Sequence, residues 1–238
     1  MTRKNRLVYP FFILTIIIVL GLIISYSYLN SENFRVRARS LLITELENLS
    51  QERIEIGSVD AISFQSLDIT HLVILTNDND SDDTEILFQA EEAKIKFALF
   101  FPFWQGKLWQ LHIKNIIFSG ATIKLARNPA GEFDLAKKLG LDLTYLRKNI
   151  KIEQISFQNS FLEYHDELIY HYPQTALTTK AKNVQANFNL NYWPKVVFNS
   201  EGIQDKDDAL LSLGGFFVIN EREYSLDFHL QNADITHF

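Results

Sequence analysis

Residues 111–125 read LHIKNIIFSGATIKL, and residues 150–164 read IKIEQISFQNSFLEY. Leu111, Ile113, Ile116, Phe118, Gly120, Ala121, Ile123 and Leu125 recur 39 positions later as Ile150, Ile152, Ile155, Phe157, Asn159, Ser160, Leu162 and Tyr164. Apolar and polar residues alternate in both stretches, as in a strand with one buried face. The alternation slips at Asn115, and Ser119-Gly120 turns or kinks the chain. Gly and Asn best tolerate positive φ, so the same kink is expected at Gly120 and Asn159. A unit repeated at this length points to an elongated array.

The same period extends outward from the repeat. Before it, Ile54 and Ile56, Ile62 and Phe64, Leu67 and Ile69, and Leu72 and Ile74 form short apolar runs. Gly57 and the Ser/Asp positions are expected to break these runs into short strands. Ala93, Ile95 and Phe97 face one way, and Glu92, Lys94 and Lys96 the other. After the repeat, Val184, Ala186, Phe188 and Leu190 share a face, as do Val196 and Phe198. Leu211, Leu213, Gly215 and Phe217 follow, then Tyr224, Leu226, Phe228 and Leu230, with 201–208 as a polar connection.

Helical patterns are few. Ser31 suits an N-cap. Behind it Phe34, Ala38, Leu41, Leu42, Glu45, Leu46 and Leu49 fall mostly at helical spacing and give residues 30–50 one apolar side, with Arg35, Arg39, Glu47 and Asn48 on the other. Such a helix packs on the following sheet or covers the mouth of a groove. Phe133, Leu135, Leu139 and Leu143 suggest a second helix, interrupted by Gly140.

The longest apolar stretch is LVYPFFILTIIIVLGLIISYSYL, Leu7–Leu29, with no charge between Arg6 and Glu32. As a helix it would be about 35 Å long, enough to cross a ~30 Å hydrocarbon core. A cleaved signal peptide would have a shorter apolar region and an A-x-A-like site, and neither is present. The expectation is a single-pass anchor, with a cytoplasmic tail at 1–6 and everything after Asn30 outside. Basic residues flank both ends: Arg3, Lys4 and Arg6 before it, Arg35, Arg37 and Arg39 after it. Tyr26 and Tyr28 suit the membrane interface. Phe101, Phe103 and Trp104, in an aromatic corner, either insert into that interface or close the end of a core.

Composition narrows the function. The 238 residues carry net charge −6 and no Cys. No basic face is evident, which argues against a nucleic-acid partner. Disulfides, thiolate metal sites and a cysteine nucleophile are excluded. Phe (19) and Tyr (9) outnumber Gly (9) and Pro (5), as in an ordered chain. Asp78, Asp80 and Asp82 mimic the start of a calcium loop. Asp83 stands where Gly is needed, however, and Gln89 where Glu is needed, so an acidic loop is expected. Tyr164-His165-Asp166-Glu167 and His171 have metal-ligand residue types without a metalloprotease spacing, and read as a solvated hairpin. Phosphate-loop, dinucleotide and nucleophile-elbow motifs are absent from the sequence. No enzyme, metal or cofactor is expected.

About ten strands with one apolar face each, against two or three short helices, leave more apolar surface than the helices can cover. A sandwich would bury it sheet on sheet. A long curved sheet would instead leave a trough that acyl chains can fill, at about 0.8 kcal/mol per CH₂. The expected fold is mainly β with an N-terminal transmembrane helix. Its elongated, twisted, antiparallel-rich sheet would form an open groove over residues 51–238. Candidate lining residues are Ile95, Phe97, Val184, Phe188, Leu213, Phe217, Leu226 and Phe228.

The order of basic tail, anchor, amphipathic helix and paired strands resembles AsmA-like proteins. So do FALFFPFWQGKLWQLHIKNIIFSGATIKLARNPAGEFDL and IKIEQISFQNSFLEYHDE. That bacterial group includes TamB-like members and is related to chorein-type lipid-transfer proteins. The strongest likeness is Phe97–Leu135, although Asp134 stands where the family usually has Asn. Family members run hundreds of residues further, so the resemblance implies a truncated version of a longer protein. It also implies an inner-membrane anchor, a periplasmic β-groove and phospholipid as partner, in lipid transport or outer-membrane biogenesis. A non-enzymatic assembly factor or scaffold, pairing its sheet edge with other envelope proteins, is the alternative.

Overall fold

The computed structural model describes residues 19–21, 27–29, 31–50, 52–63, 65–75, 86–98, 111–127, 150–166, 177–204, 208–218 and 223–232. Residues 19–21 and 27–29 are helical and Val19, Leu20 and Tyr28 are exposed. Among the described residues no helix is long and apolar enough to cross a membrane. The rest of 7–29 lies outside the described residues, as do the acidic loop at 77–84, the aromatic corner at 99–106, the helical pattern at 133–147, and Glu167 and His171.

Helix α1 (Glu32–Ser50) begins where Ser31 caps it, its Oγ accepting the Phe34 N–H at 3.4 Å. Leu42, Ile43 and Leu46 pack against the sheet. Leu41, expected on that side, is 65% exposed, and Ile43 takes its place. Arg39 and Glu47, expected to face water, instead bond the backbone of the first strand. Arg39 Nε donates to the Ile56 carbonyl at 2.6 Å, and Glu47 Oε1 accepts the Ile54 N–H at 3.1 Å.

Eleven strands follow: β1 (Arg53–Ile62), β2 (Ser66–Leu75), β3 (Ile86–Phe97), β4 (Leu111–Ser119), β5 (Thr122–Arg127), β6 (Ile150–Ile152), β7 (Gln154–Asp166), β8 (Leu177–Asn189), β9 (Lys195–Gln204), β10 (Leu210–Val218) and β11 (Tyr224–Gln231). All belong to one sheet in the order β1-β2-β3-β4-β7-β8-β9-β10-β11. Strand β5 lies beside β3 and β7, and β6 beside β4. Gly57 does not break β1, and neither do the polar residues break β2; each is one ten-residue strand. The expected polar connection begins later than 201, because β9 runs to Gln204.

Most pairs are antiparallel, but the two copies of the repeat pair in parallel. Leu111 lies opposite Ile150, Phe118 opposite Phe157, Ile123 opposite Leu162 and Arg127 opposite Asp166. The repeat period is therefore the pairing register itself. The buried Ala121 N–H to Ser160 Oγ bond, at 3.3 Å, spans the same 39 residues. Both kinks are present, with φ of 60° at Gly120 and 49° at Asn159. The slip expected at Asn115 is also present, as a register shift where Lys96 pairs with Asn115 and Phe97 with Ile113.

These kinks belong to a line that crosses the sheet. Gly57 faces His71 (φ 53°), whose neighbours Thr70 and Leu72 pair with Glu92 and Ala90. Glu91 then faces Gly120, where an added Cβ would lie 2.5 Å from its carboxylate. Gly120 neighbours Asn159, and Asn159 accepts a bond from Gln185 Nε2 at 3.0 Å. Asn183 (φ 54°) and Gly202 continue the line. In an ordinary strand the inward residues are two apart. At this crease the step is three: Ile56 to Val59, Ile69 to Leu72, Ala90 to Ala93, Phe118 to Ala121, Phe157 to Ser160, and Ala181 to Val184. The extra residue lets each strand bend while keeping one face inward.

The bend is sharp. Phe118 pairs with Ala93, whereas Phe88 pairs with Ile123 on the far side of the crease. At about 3.3 Å per residue a flat sheet would set those two rows roughly 16 Å apart. The two rings nevertheless meet, with centroids 5.1 Å apart. The sheet is folded across the crease with its apolar face inside. From β3 to β8 several residues flanking the crease are small: Ala90, Ala93, Ala121, Ser160 and Ala181 are all 2% exposed or less. Larger side chains there would hold the two halves apart.

A candidate apolar groove

Phenylalanines from six strands form a ribbon along this inner face. Phe88 meets Phe118 at 5.1 Å and Phe157 at 6.5 Å. Phe118 stacks on Phe157 at 5.3 Å, Phe157 meets Phe188 at 6.1 Å, and Phe188 stacks on Phe198 at 5.9 Å. Phe198 meets Phe217 at 6.1 Å. The register explains the alignment: Phe118 pairs with Phe157, and Phe188 with Phe198. Each such ring pair contributes about 0.5–1.5 kcal/mol beyond area burial.

The ribbon differs in cover along its length. At the β1–β3 end, Ile54, Ile56, Val59, Leu67, Ile69, Leu72 and Ala93 form a closed core, and Leu42, Ile43 and Leu46 of α1 pack onto it. A smaller core, Ala181, Val184 and Ala186, lies under Phe157, Leu162 and Phe188. Phe88 and Phe118 pack on the first core; all five rings from Phe88 to Phe198 are half-buried, and Phe217 is 38% exposed. The inner face is filled at its first end and partly open toward β10.

Of the expected lining residues, Ile95, Phe97, Val184, Phe188, Leu213 and Phe217 lie on this one face. Ile95 and Phe97 pack on the closed core. Val184 belongs to the smaller core, and Phe188 to the ribbon. Leu213 is half-buried and Phe217 ends the described ribbon. Leu226 and Phe228 occupy register positions opposite Gly215 and Leu213. Of the expected interface residues, Tyr28 is exposed and tilts onto Phe34 at 5.3 Å. Tyr26, Phe101, Phe103 and Trp104 lie outside the described residues.

Sequence reading missed Phe88, Phe118, Phe157 and Phe198. The signal for two of them was available, since Phe118 and Phe157 occupy equivalent positions of the repeat.

Charge sits on the other face. Lys94 pairs with Asp68 at 3.0 Å and Lys180 with Glu163 at 3.1 Å. His112 Nε2 lies 2.7 Å from Glu153 Oε1, with Lys151 Nζ at 3.4 Å. The His112 hydrogen bond, aided by the nearby positive charge, holds the Glu153 carboxyl below its usual range against the opposing effect of burial. A concavity of about 300 Å³ lies between Glu201, Leu210, Ser212, His229 and Gln231, at the polar positions of β9–β11 and away from the ribbon. His165 Nδ1 lies 3.0 Å from Thr178 Oγ1, within β7 rather than in a turn. Among the described residues no group of three His, Asp or Glu side chains is arranged to hold a metal ion.

The inner face thus offers hydrocarbon and aromatic surface without an ionisable group in the ribbon. Such a surface suits apolar ligands that need no directed polar recognition. No family model matches the chain, and no curated protein matches it.

Proposed function

We propose that this protein holds phospholipid acyl chains against the inner face of its folded sheet, and passes them along the phenylalanine ribbon. The observation that carries this reading is the unbroken run of rings from Phe88 to Phe217, half-covered at most positions and most open at its far end. A ribbon built only to fill a core would be covered throughout. An acyl chain has no directional demands, so it can slide between equivalent rings at small cost. Each CH₂ withdrawn from water contributes about 0.8 kcal/mol.

The apolar stretch 7–29 is assigned the role of a membrane anchor, on its length and lack of charge. The anchor supplies lipid access, and the resemblance to AsmA-like proteins supports an inner-membrane site with the sheet in the periplasm. Transport of lipid or maintenance of the outer membrane is then the cellular role. Catalysis is not part of the proposal.

Native mass spectrometry of the full chain, released gently from detergent, tests the reading. Bound phospholipid is expected, lost when Phe157 and Phe198 are both changed to Asp. Protein free of lipid under conditions that preserve lipid on a known carrier would overturn it.

A further inference from the structure

The end of the apolar stretch is tied to α1. Ser31 Oγ donates to the Tyr28 carbonyl at 2.7 Å while accepting the Phe34 N–H, and the Tyr28 ring tilts onto Phe34. Helix α1 in turn has a direction along the sheet. Glu47 bonds Ile54 and Arg39 bonds Ile56, so moving back along the helix moves toward the Ile62 end of β1. Eight helical residues rise about 12 Å, against about 7 Å for two strand residues, so α1 crosses β1 obliquely. Its N-terminus, and the apolar stretch before it, head for that end of the sheet.

Pairing carries the same end across to β9. Ile62 lies beside Leu67, Ser66 beside Lys96, Phe97 beside Ile113, and Ile113 beside Ile152. The Leu190 N–H donates to the Glu153 carbonyl at 2.8 Å, and Lys195 lies beside Val218. The turn between β8 and β9 therefore projects from the end toward which the anchor leaves. Residues 191–194 of this turn read NYWP. Two hydrogen bonds brace it, from the Trp193 N–H to the Leu190 carbonyl at 3.3 Å and from the Lys195 N–H to the Tyr192 carbonyl at 3.0 Å. Tyr192 stands 65% exposed on it, with Trp193 half-buried beside it. Lys195 follows, its Nζ 3.6 Å from the centre of the Phe216 ring. Tyr, Trp and Lys, each with an apolar body and a polar tip, favour the headgroup region of a bilayer.

We infer that the turn 191–194 dips into the headgroup layer of the phospholipid bilayer that holds the anchor. The bilayer is the occupant because the anchor and the aromatic turn share one end of the sheet. Five strand spacings separate β1 from β8, about 24 Å in a flat sheet, so one membrane plane meets both. The strand ends, rather than either face of the sheet, then rest on the membrane. Phe217, where the described ribbon is most open, pairs with Val196 just behind this turn, so the open part of the ribbon is turned toward the lipid. The inference rests on the anchor proposed above and does not require lipid in the groove.

The chain has no Cys, so one nitroxide-labelled cysteine reports depth directly. Full-length protein is reconstituted in vesicles of phosphatidylcholine and phosphatidylglycerol. The label on Tyr192→Cys is expected to lose most of its accessibility to a water-soluble relaxing agent while keeping its accessibility to oxygen. The label on Gln231→Cys, exposed at the opposite strand end, is expected to keep both. Trp193 gives a second reading without a label. With Trp104→Phe and Trp109→Phe in place, lipid brominated close to its headgroup is expected to quench Trp193 fluorescence. Protein that floats with the vesicles while position 192 stays as open to the agent as position 231, or while Trp193 is not quenched, overturns the inference and leaves the anchor standing. Protein that does not float overturns both. Loss of oxygen access at 192 together with loss of the agent assigns the turn to a protein partner and likewise overturns it.

Discussion

Gly120, at the bend between β4 and β5, lies beside Asn159 of β7, 39 residues on in the chain, and both adopt left-handed backbone conformations, at 60° and 49°. A residue with a branched Cβ is strained there by roughly 1–2 kcal/mol. At Gly120 a side chain would also displace the Glu91 carboxylate. Gly120→Val is expected to lower the urea midpoint more than Asn159→Val, and Asn159→Gly to leave it nearly unchanged. Equal effects of Val and Gly at Asn159 would show that the crease does not depend on that backbone conformation.

Among the described residues Phe157 touches three rings of the ribbon, whereas Phe217 touches one and is partly exposed. Phe157→Ala is expected to cost about 2–3 kcal/mol, less than the roughly 3–5 kcal/mol of a fully buried aromatic because the ring is half-buried. Phe217→Ala is expected to cost under about 1 kcal/mol, as for a surface position. Denaturant unfolding in detergent separates the two. A ribbon position that costs little in stability is one whose cover is left to a ligand.

Glu47 and Arg39 close the β1 edge. Glu47→Ala removes the acceptor of the Ile54 N–H and is expected to cost about 1–2 kcal/mol. Hydrogen exchange at Ile54 should quicken, while Glu47→Gln, which keeps a carbonyl acceptor, should leave it slow. Unchanged exchange in Glu47→Ala would mean that the helix packing alone protects this edge.

The Glu153 carboxyl is held below its ordinary value of 4.5, chiefly by the hydrogen bond from His112. A carboxyl with a depressed folded pKa adds stability above its unfolded pKa and loses it as pH falls through the folded one. Wild type is therefore expected to be more stable than Glu153→Gln at about pH 7, with the gap closing as the pH falls below the ordinary carboxylate range and through the lowered folded value. Thermal midpoints across that range check it. A gap that persists at the acid end would assign the effect to packing rather than to charge.

Much of the fold was legible because β strands announce themselves by alternation. The one-faced pattern, the repeat and the shared kink follow from apolar spacing and from two residue types that tolerate positive φ. The parallel pairing did not follow, because periodicity reports which face is buried and not which strand lies alongside. The crease was visible at 118–121 and 157–160 but passed unnoticed at Ile56–Val59, Ile69–Leu72, Ala90–Ala93 and Ala181–Val184. There a step of three reads as a break between short strands, or as noise. His71 is the clearest case: His enters the left-handed region more readily than most residues, but the spacing around it gives no sign of a kink. Arg39 and Glu47 were placed toward water because charge normally sits there, yet an open strand edge offers backbone partners that water would otherwise serve. Two of the six ribbon rings, Phe188 and Phe217, were legible as lining; the repeat also signals Phe118 and Phe157, whereas Phe88 and Phe198 emerge only once the register aligns strands distant in sequence.

A photoreactive phenylalanine analogue at position 198, in full-length protein in phospholipid membranes, tests the acyl-chain groove most directly. Irradiation is expected to give covalent phospholipid adducts at 198 and few at 225, on the opposite face of the sheet. Equal labelling at the two positions, or adducts at 198 only to the protein's own side chains, would contradict a lipid-holding face.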